Sequence, residues 1–358
     1  MTLPRFARRP PGRRAPVAAA TLLALLALAG CATTSSSAAE YSPDKPLPTG
    51  TPSADTSLRV AGRTTQLQLQ AAGSAIAPLD FAVSDWVNVG AGPDVIQAFR
   101  ADAVDIASNA ILPPIQAHAI GFDAKVVAVL ERPQPSYVFA TAPGTDISSF
   151  ADFRGTKIAF SQGQSQGDTV LRTLQAEGID YDDVELVDLP STQFLTALQG
   201  GQVDVAPLSE PAVTKYIDDY AQDGARAIPS QVPDLLTVLW APAEVLADDD
   251  NVRAIRDYIR TWAQGQVWAW EHADAWKKFY YVDTEGVSDT DADRIWATAN
   301  KPLFPDDWDK AVDWAQSSIG LLADGGFIDK GFDAEELFDR RFEHDAAAAV
   351  AAQYTREG

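Results

Sequence analysis

The chain has 358 residues, 46% hydrophobic and 22% charged, with 28 basic against 50 acidic side chains and a formal net charge of -22. Such a surface repels phosphate backbones and anionic membranes, which argues against nucleic acid as a partner. A single cysteine leaves no intramolecular disulfide and no thiolate metal centre.

Residues 1–30 read as a targeting segment. Arg5, Arg8, Arg9, Arg13 and Arg14 precede an apolar run from Val17 to Ala29, the layout of a secretory signal and too short to span a membrane. The run ends Leu28-Ala29-Gly30-Cys31, the pattern of a bacterial lipobox, so Cys31 is expected to receive a diacylglycerol and become the new N-terminus. Losing five arginines would leave 23 basic residues against 50 acidic, a net charge of -27. Residues 31–57, rich in Ser, Thr, Ala and Pro, are expected to form a disordered tether. The folded part is thus expected outside the cytoplasm, lipid-anchored to the outer face of the cell membrane, with the anchor its only membrane contact.

About 300 residues remain, a length that suits two domains. Leu58 to Ala61 reads as a strand, Gly62, Arg63, Thr64 and Thr65 as a polar turn, and Leu67 to Ile76 as a helix. Phe81 to Val89 reads as the next strand. It feeds AGPDVIQAFRADAVDIASNAILPP, Ala91 to Pro114, which the chain echoes 99 residues later as PSTQFLTALQGGQVDVAPLSEP from Pro190. Val95, Ile96 and Phe99 fall on Phe194, Leu195 and Leu198, and Val104-Asp105-Ile106-Ala107 falls on Val203-Asp204-Val205-Ala206. In each copy the apolar spacing marks one buried helix face, and a polar turn then leads into a buried strand. Gly92 before Pro93 and Ser191 at the matching place are the expected caps.

Two copies are too few for a solenoid, which needs at least three repeats. They fit two α/β lobes facing each other across a ligand cleft, with lobe 1 over 58–135, lobe 2 over 136–232, and the return to lobe 1 with C-terminal helices over 233–358. Ligands gather at the carboxyl ends of strands in such sheets, so Gly62, Arg63, Thr64, Thr65, Gly92, Ser108 and Asn109 belong to one rim. In lobe 2, Pro133 to Gly144 reads as the crossover, and Ile158 to Phe160 as a strand. A glycine loop from Ser161 to Gly167 then opens a helix from Asp168 to Ala176, Val184 to Val187 follows, and the echo ends at Ser209-Glu210-Pro211. Leu235 to Trp240 returns the chain toward lobe 1. Eight of the nine tryptophans lie at or after position 240, within helical periodicity; they are expected to pack C-terminal helices on the lobes, the alternative being a sugar-stacking platform. The last fifteen residues read as a fraying alanine-rich helix.

Gly163-Gln164-Ser165-Gln166-Gly167 satisfies Gly-x-Ser-x-Gly between an expected strand and helix, the context of a nucleophile elbow. A secreted serine hydrolase using Ser165 is therefore the alternative function. His272 or His344 would supply its base, yet no HGGG-type oxyanion loop lies upstream. The simpler reading is a glycine turn at a helix N-terminus that binds an anion without reacting. Asp248-Asp249-Asp250 reads as a helix-capping run, no His/Cys set has metal-ligand spacing, and no nucleotide-binding glycine motif occurs, so neither metal nor cofactor is expected.

AGPDVIQAFRADAVDIASNAILPPIQAHAIG, SSFADFRGTKIAFSQGQS and YDDVELVDLPSTQFLTALQGGQVDVAPLSEP together resemble the solute-binding lipoproteins of ABC importers for sulfonates, nitrate and taurine. The resemblance implies a type II periplasmic-binding fold, two α/β lobes joined by two crossovers. It implies a monomer that closes on an anionic or zwitterionic solute and delivers it to an ABC permease and its ATPase. The family's ligand loops correspond to Gly62 to Thr65, Gly92, Ser108-Asn109, Gln164-Ser165-Gln166 and Ser209-Glu210. Many relatives carry Trp-Asp-Pro where this chain has Ser209-Glu210-Pro211. Glu210 in the cleft would then either pair with Arg63 or accept a ligand amine, as an aminosulfonate would supply.

Overall fold

A computed structural model describes residues 40–356 other than Ala91. The signal segment, Cys31 and the first part of the expected tether lie outside the described residues. From residue 40 onward the expected tether is an extended strap laid on the folded body. Tyr41 and Leu47 pack against the core, and the Lys45, Pro48 and Thr49 carbonyls accept hydrogen bonds from Arg341, Arg256 and Arg253. The correction has a physical reason. An extended Pro-containing strand needs no ladder partner when arginines on neighbouring helices satisfy its carbonyls.

Two five-stranded sheets form the lobes. The first contains β1 (Ser57–Ala61), β2 (Ala82–Trp86), β3 (Ile106–Ala110) and β4 (Ala124–Glu131), and the second contains β5 (Tyr137–Thr141), β6 (Lys157–Phe160), β7 (Glu185–Asp188), β8 (Val205–Ser209) and β9 (Ala227–Pro229). Strand β10 (Leu236–Pro242) returns to the first sheet, giving the orders β2-β1-β3-β10-β4 and β7-β6-β8-β5-β9. The crossovers are therefore the segments 132–136 and 230–235. The stretch from Pro133 to Gly144, read from sequence as crossover throughout, already carries a strand of the second sheet over Tyr137–Thr141. In both sheets the strand entered from the other lobe lies antiparallel to its central neighbour, β10 to β3 and β5 to β8.

The helices follow the apolar pattern with earlier starts. In the first lobe, α1 (Arg63–Ala72) begins within the expected polar turn, and α2 (Gly92–Arg100) and α3 (Leu112–Ala119) follow β2 and β3. In the second, α4 (Ser165–Ala176) begins inside the glycine loop, followed by α5 (Phe194–Gln199) and α6 (Ala212–Tyr220). Val95, Ile96 and Phe99 of α2 are buried, as are Phe194 and Leu198 of α5, while Leu195, which the repeat also assigns to that face, is half-buried. The expected Ser191 cap is not made. A 3-10 turn at Ser191–Gln193 precedes α5, and the Ser191 N–H donates to Gln164 Oε1 at 2.8 Å.

Beyond β10 the chain is helical: α7 (Asp249–Glu271), α8 (Ala273–Trp276), a π-helix (Lys277–Thr284), α9 (Asp289–Trp296) and α10 (Asp309–Asp324). Asp248 caps α7 through the N–H groups of Asp250 and Asn251, as the acidic run predicts. Trp262 and Trp308 are fully buried in the main core. The last residues are not one helix. A single turn at Asp345–Ala348 gives way to Thr355–Arg356, which pairs in parallel with Phe304–Pro305.

Candidate functional site

The repeat builds the same hook in each lobe. Asp105 Oδ2 accepts the Arg59 N–H of β1 at 2.6 Å, and Asp204 Oδ2 accepts the Lys157 N–H of β6 at 2.8 Å. Each carboxylate at the head of a central strand thus fixes the start of its neighbour, which sets where both strands end at the cleft. Asp105 also takes the Arg59 guanidinium, at 3.0 and 2.5 Å.

The lobes touch where the two glycine turns face each other. A Cβ on Gly92 of α2 would collide with the Gly163 carbonyl, and Pro93 packs on Gly163. The Gln116 amide of α3 donates to the Gln162 carbonyl at 3.1 Å. Only glycine at 92 allows this approach.

Two cavities lie along the cleft. The smaller, about 190 Å³, is lined among others by Gly62, Arg63, Thr64, Thr65, Ser108 and Asn109. The larger, about 760 Å³, reaches from Thr64 across the crossovers to Ser209 and Glu210. Thr64 borders both. Arg63 is exposed, and among the described residues no hydrogen bond or ion pair engages its guanidinium. Asn109 is held, its Oδ1 accepting the Trp240 Nε1–H at 2.9 Å. Gly92 lines neither cavity but sits at the lobe contact. Gln164 and Ser165 also line neither: Gln164 Oε1 accepts from the Ser161 hydroxyl and the Ser191 N–H, while the Ser165 hydroxyl is hydrogen-bonded to the Tyr137 hydroxyl. Gln166 is half-buried beside them and lines neither cavity. Glu210 borders the larger cavity, but its partner is not Arg63. Arg294 of α9 donates to it at 3.0 Å, and the Thr214 hydroxyl donates at 2.5 Å.

The floor of the larger cavity holds groups that sequence reasoning missed. Arg132 leaves β4 into the first crossover, Tyr137 opens β5, and Asp234 closes the second crossover; all three line the cavity. Burial pushes the Asp234 carboxyl up to about 7, reinforced by Asp168 and opposed by Arg132, the Ser165 hydroxyl and Arg172. Burial lowers the Arg132 guanidinium from its usual range, with Asp234 pulling the other way. Burial, with Asp234 adding to it, raises the Tyr137 hydroxyl. The signal was present, because charged residues directly beside the crossovers of a two-lobed fold end at the cleft floor. The other wall is the C-terminal segment, including Trp270, Tyr280, Tyr281 and Trp296. These aromatics face a cavity as well as packing helices.

The elbow motif does not assemble a triad. Among the described residues no histidine hydrogen-bonds Ser165. His118 Nε2 lies 3.2 Å from Glu336, the His272 ring stacks on Trp268, and His344 Nδ1 meets Asp306 at 2.7 Å. No group of three metal-ligating side chains occurs among the described residues.

Two lobes with these sheet orders, joined by two crossovers around a cleft, define a periplasmic-binding-protein architecture. Residues 86–219 match the family described as NMT1/THI5 like. The chain is 33% identical over 144 residues to an Escherichia coli protein named for binding aliphatic sulfonates, covering 40% of this chain and 44% of that protein, less than half its length. It is 22% identical over 261 residues to a Bacillus subtilis protein of the same description, covering 72% of this chain and 76% of the relative. The alkanesulfonate-binding protein of Xanthomonas axonopodis pv. citri, solved bound to MOPS, superposes with a TM-score of 0.66 at 16% identity, covering 86% of this chain and all of that one, which shows the shared fold. The resemblance read from the sequence is borne out by these matches.

Proposed function

We propose that the protein is the extracytoplasmic receptor of an ABC importer, lipid-anchored through Cys31, and that it binds a small organic anion of the sulfonate kind between its lobes and hands it to a permease. In this reading it is a carrier and not an enzyme. The observation that carries the proposal is the cleft itself: two cavities meet at Thr64, beside the Arg63 guanidinium at the start of α1, which no described residue engages in a hydrogen bond or ion pair. Arginine and helix-start N–H groups give an oxyanion charge-assisted bonds. Closure is a hinge motion at the crossovers, and a ligand biases it by touching both lobes.

The test is a thermal-shift screen of alkyl and aryl sulfonates, taurine, nitrate and carboxylates. A ligand at 100 times its dissociation constant stabilises the native state by about 2.7 kcal/mol. A shift with one anionic class, reduced by Arg63→Ala without loss of fold, supports the carrier. No shift with any class sinks it.

A further inference from the structure

The larger cavity exceeds what a sulfonate headgroup fills, and its walls combine two chemistries. One wall is aromatic. Trp276 stacks on Tyr280 with centroids 4.9 Å apart, Tyr280 meets Tyr281 edge-on at 5.0 Å, and Trp270 lies 5.6 Å from Trp296. Both tyrosines lie in the π-helix, a winding that recurs at functional sites. The same chamber is also lined by four carboxylates, Glu210, Asp218, Asp234 and Asp291, against two guanidiniums, Arg132 and Arg294. Arg294 is already shared between Glu210 at 3.0 Å and Asp291 at 3.6 Å. The excess of acid in this chamber disfavours a second anionic group there, whereas Arg63 at its border with the smaller cavity favours one.

We propose that the chamber receives an aromatic ammonium, so that the solute is an aryl zwitterion. Its anionic group lies at Arg63, and its ring and protonated amine lie between the tryptophans and tyrosines and the carboxylates. The assignment rests on the carrier reading. Aromatic faces attract a desolvated cation, and a carboxylate beside it adds a charge-assisted hydrogen bond.

The experiment is calorimetric titration of the protein with two isosteric pairs: para-(aminomethyl)benzenesulfonate against para-ethylbenzenesulfonate, and taurine against propanesulfonate. The aminomethyl aryl compound is expected to bind about tenfold or more tightly than its ethyl isostere and than taurine, since a desolvated ammonium gains from both ring and carboxylate. Trp270→Ala and Asp234→Asn should each remove most of that advantage while leaving far-UV circular dichroism unchanged. Equal affinity within the aryl pair, or taurine matching the aryl compound, overturns the chamber assignment and leaves the carrier standing. Absence of binding by all four compounds overturns the chamber assignment, and the carrier falls with it only if the thermal-shift screen is flat for every anionic class.

Discussion

The two lobes share a scaffold and part company at the cleft. In both, an apolar helix face, a polar turn and an aspartate hook deliver a buried strand to the rim. At the strand ends the copies differ: Asn109 of lobe 1 is held by Trp240 of the return strand, while Glu210 of lobe 2 is held by Arg294 of a C-terminal helix. The repeat thus fixes where the rim lies, and the segments outside the repeat decide what the rim presents. That separation is what the following substitutions probe.

The largest effects should fall on the shared scaffold. Phe99, buried and edge-on to Trp240 at 4.7 Å, and Leu198, fully buried in lobe 2, hold equivalent positions. Replacement by alanine removes apolar area and leaves a cavity, so Phe99→Ala should cost about 3–5 kcal/mol and Leu198→Ala about 2–5 kcal/mol in denaturant unfolding. A cost below 1 kcal/mol for either would mean that its helix face is not part of the lobe's core.

The hooks should separate the lobes. Asp105 carries a guanidinium as well as a backbone N–H, whereas Asp204 is described with the N–H of Lys157. Asp105→Ala should therefore cost about 2–3 kcal/mol and Asp204→Ala about 1 kcal/mol. Equal costs would show that the Arg59 pair adds nothing beyond the hook.

The repeat and the two lobes were legible because each rests on local periodicity. The chamber was not. Trp270 and Trp296 sit in helical periodicity like the buried Trp262, and no local pattern tells which face of a late helix is turned to a cleft made by residues far upstream in the chain. Gln164 and Ser165 have the residue types of ligand contacts, yet their polar atoms are used within lobe 2 and toward Tyr137. Hydrogen-bond capacity can be read from sequence, whereas its prior commitment is a tertiary fact. The strap from residue 40 fails in the same way, since its partners Arg253, Arg256 and Arg341 lie some 200 to 300 residues away.

At the crossovers, which belong to neither copy of the repeat, stability should depend on pH. Asp234 has a folded-state value raised to about 7. The folded protein therefore holds a proton that the unfolded chain has already lost, and stability falls as pH rises from about 4 to about 7. Asp234→Asn removes this slope, leaving the variant up to about 4 kcal/mol more stable than the parent at pH 8 and similar to it at pH 4. Unfolding curves at the two pH values decide it; an unchanged slope would place the Asp234 carboxylate in a more solvated setting.

Gly92→Ala should leave folding intact and hold the lobes apart, because its Cβ would meet the Gly163 carbonyl across the cleft. Small-angle scattering should then show a larger radius of gyration for the variant. An identical radius would mean that the lobes slide past the new methyl group instead of opening.

The smallest effect on stability is expected where the copies differ. Arg294 is half exposed, so its pair with Glu210 should contribute about 0–1 kcal/mol, and Arg294→Ala should barely move the melting temperature. Its effect on binding should be larger and of opposite sign. Removing the guanidinium frees the Glu210 carboxylate toward the chamber and makes the wall more acidic, so the variant should bind para-(aminomethyl)benzenesulfonate more tightly and para-ethylbenzenesulfonate no better. Weaker binding of both would instead make Arg294 a direct ligand for the anionic group, and lobe 2, not Arg63 of lobe 1, would then hold the headgroup.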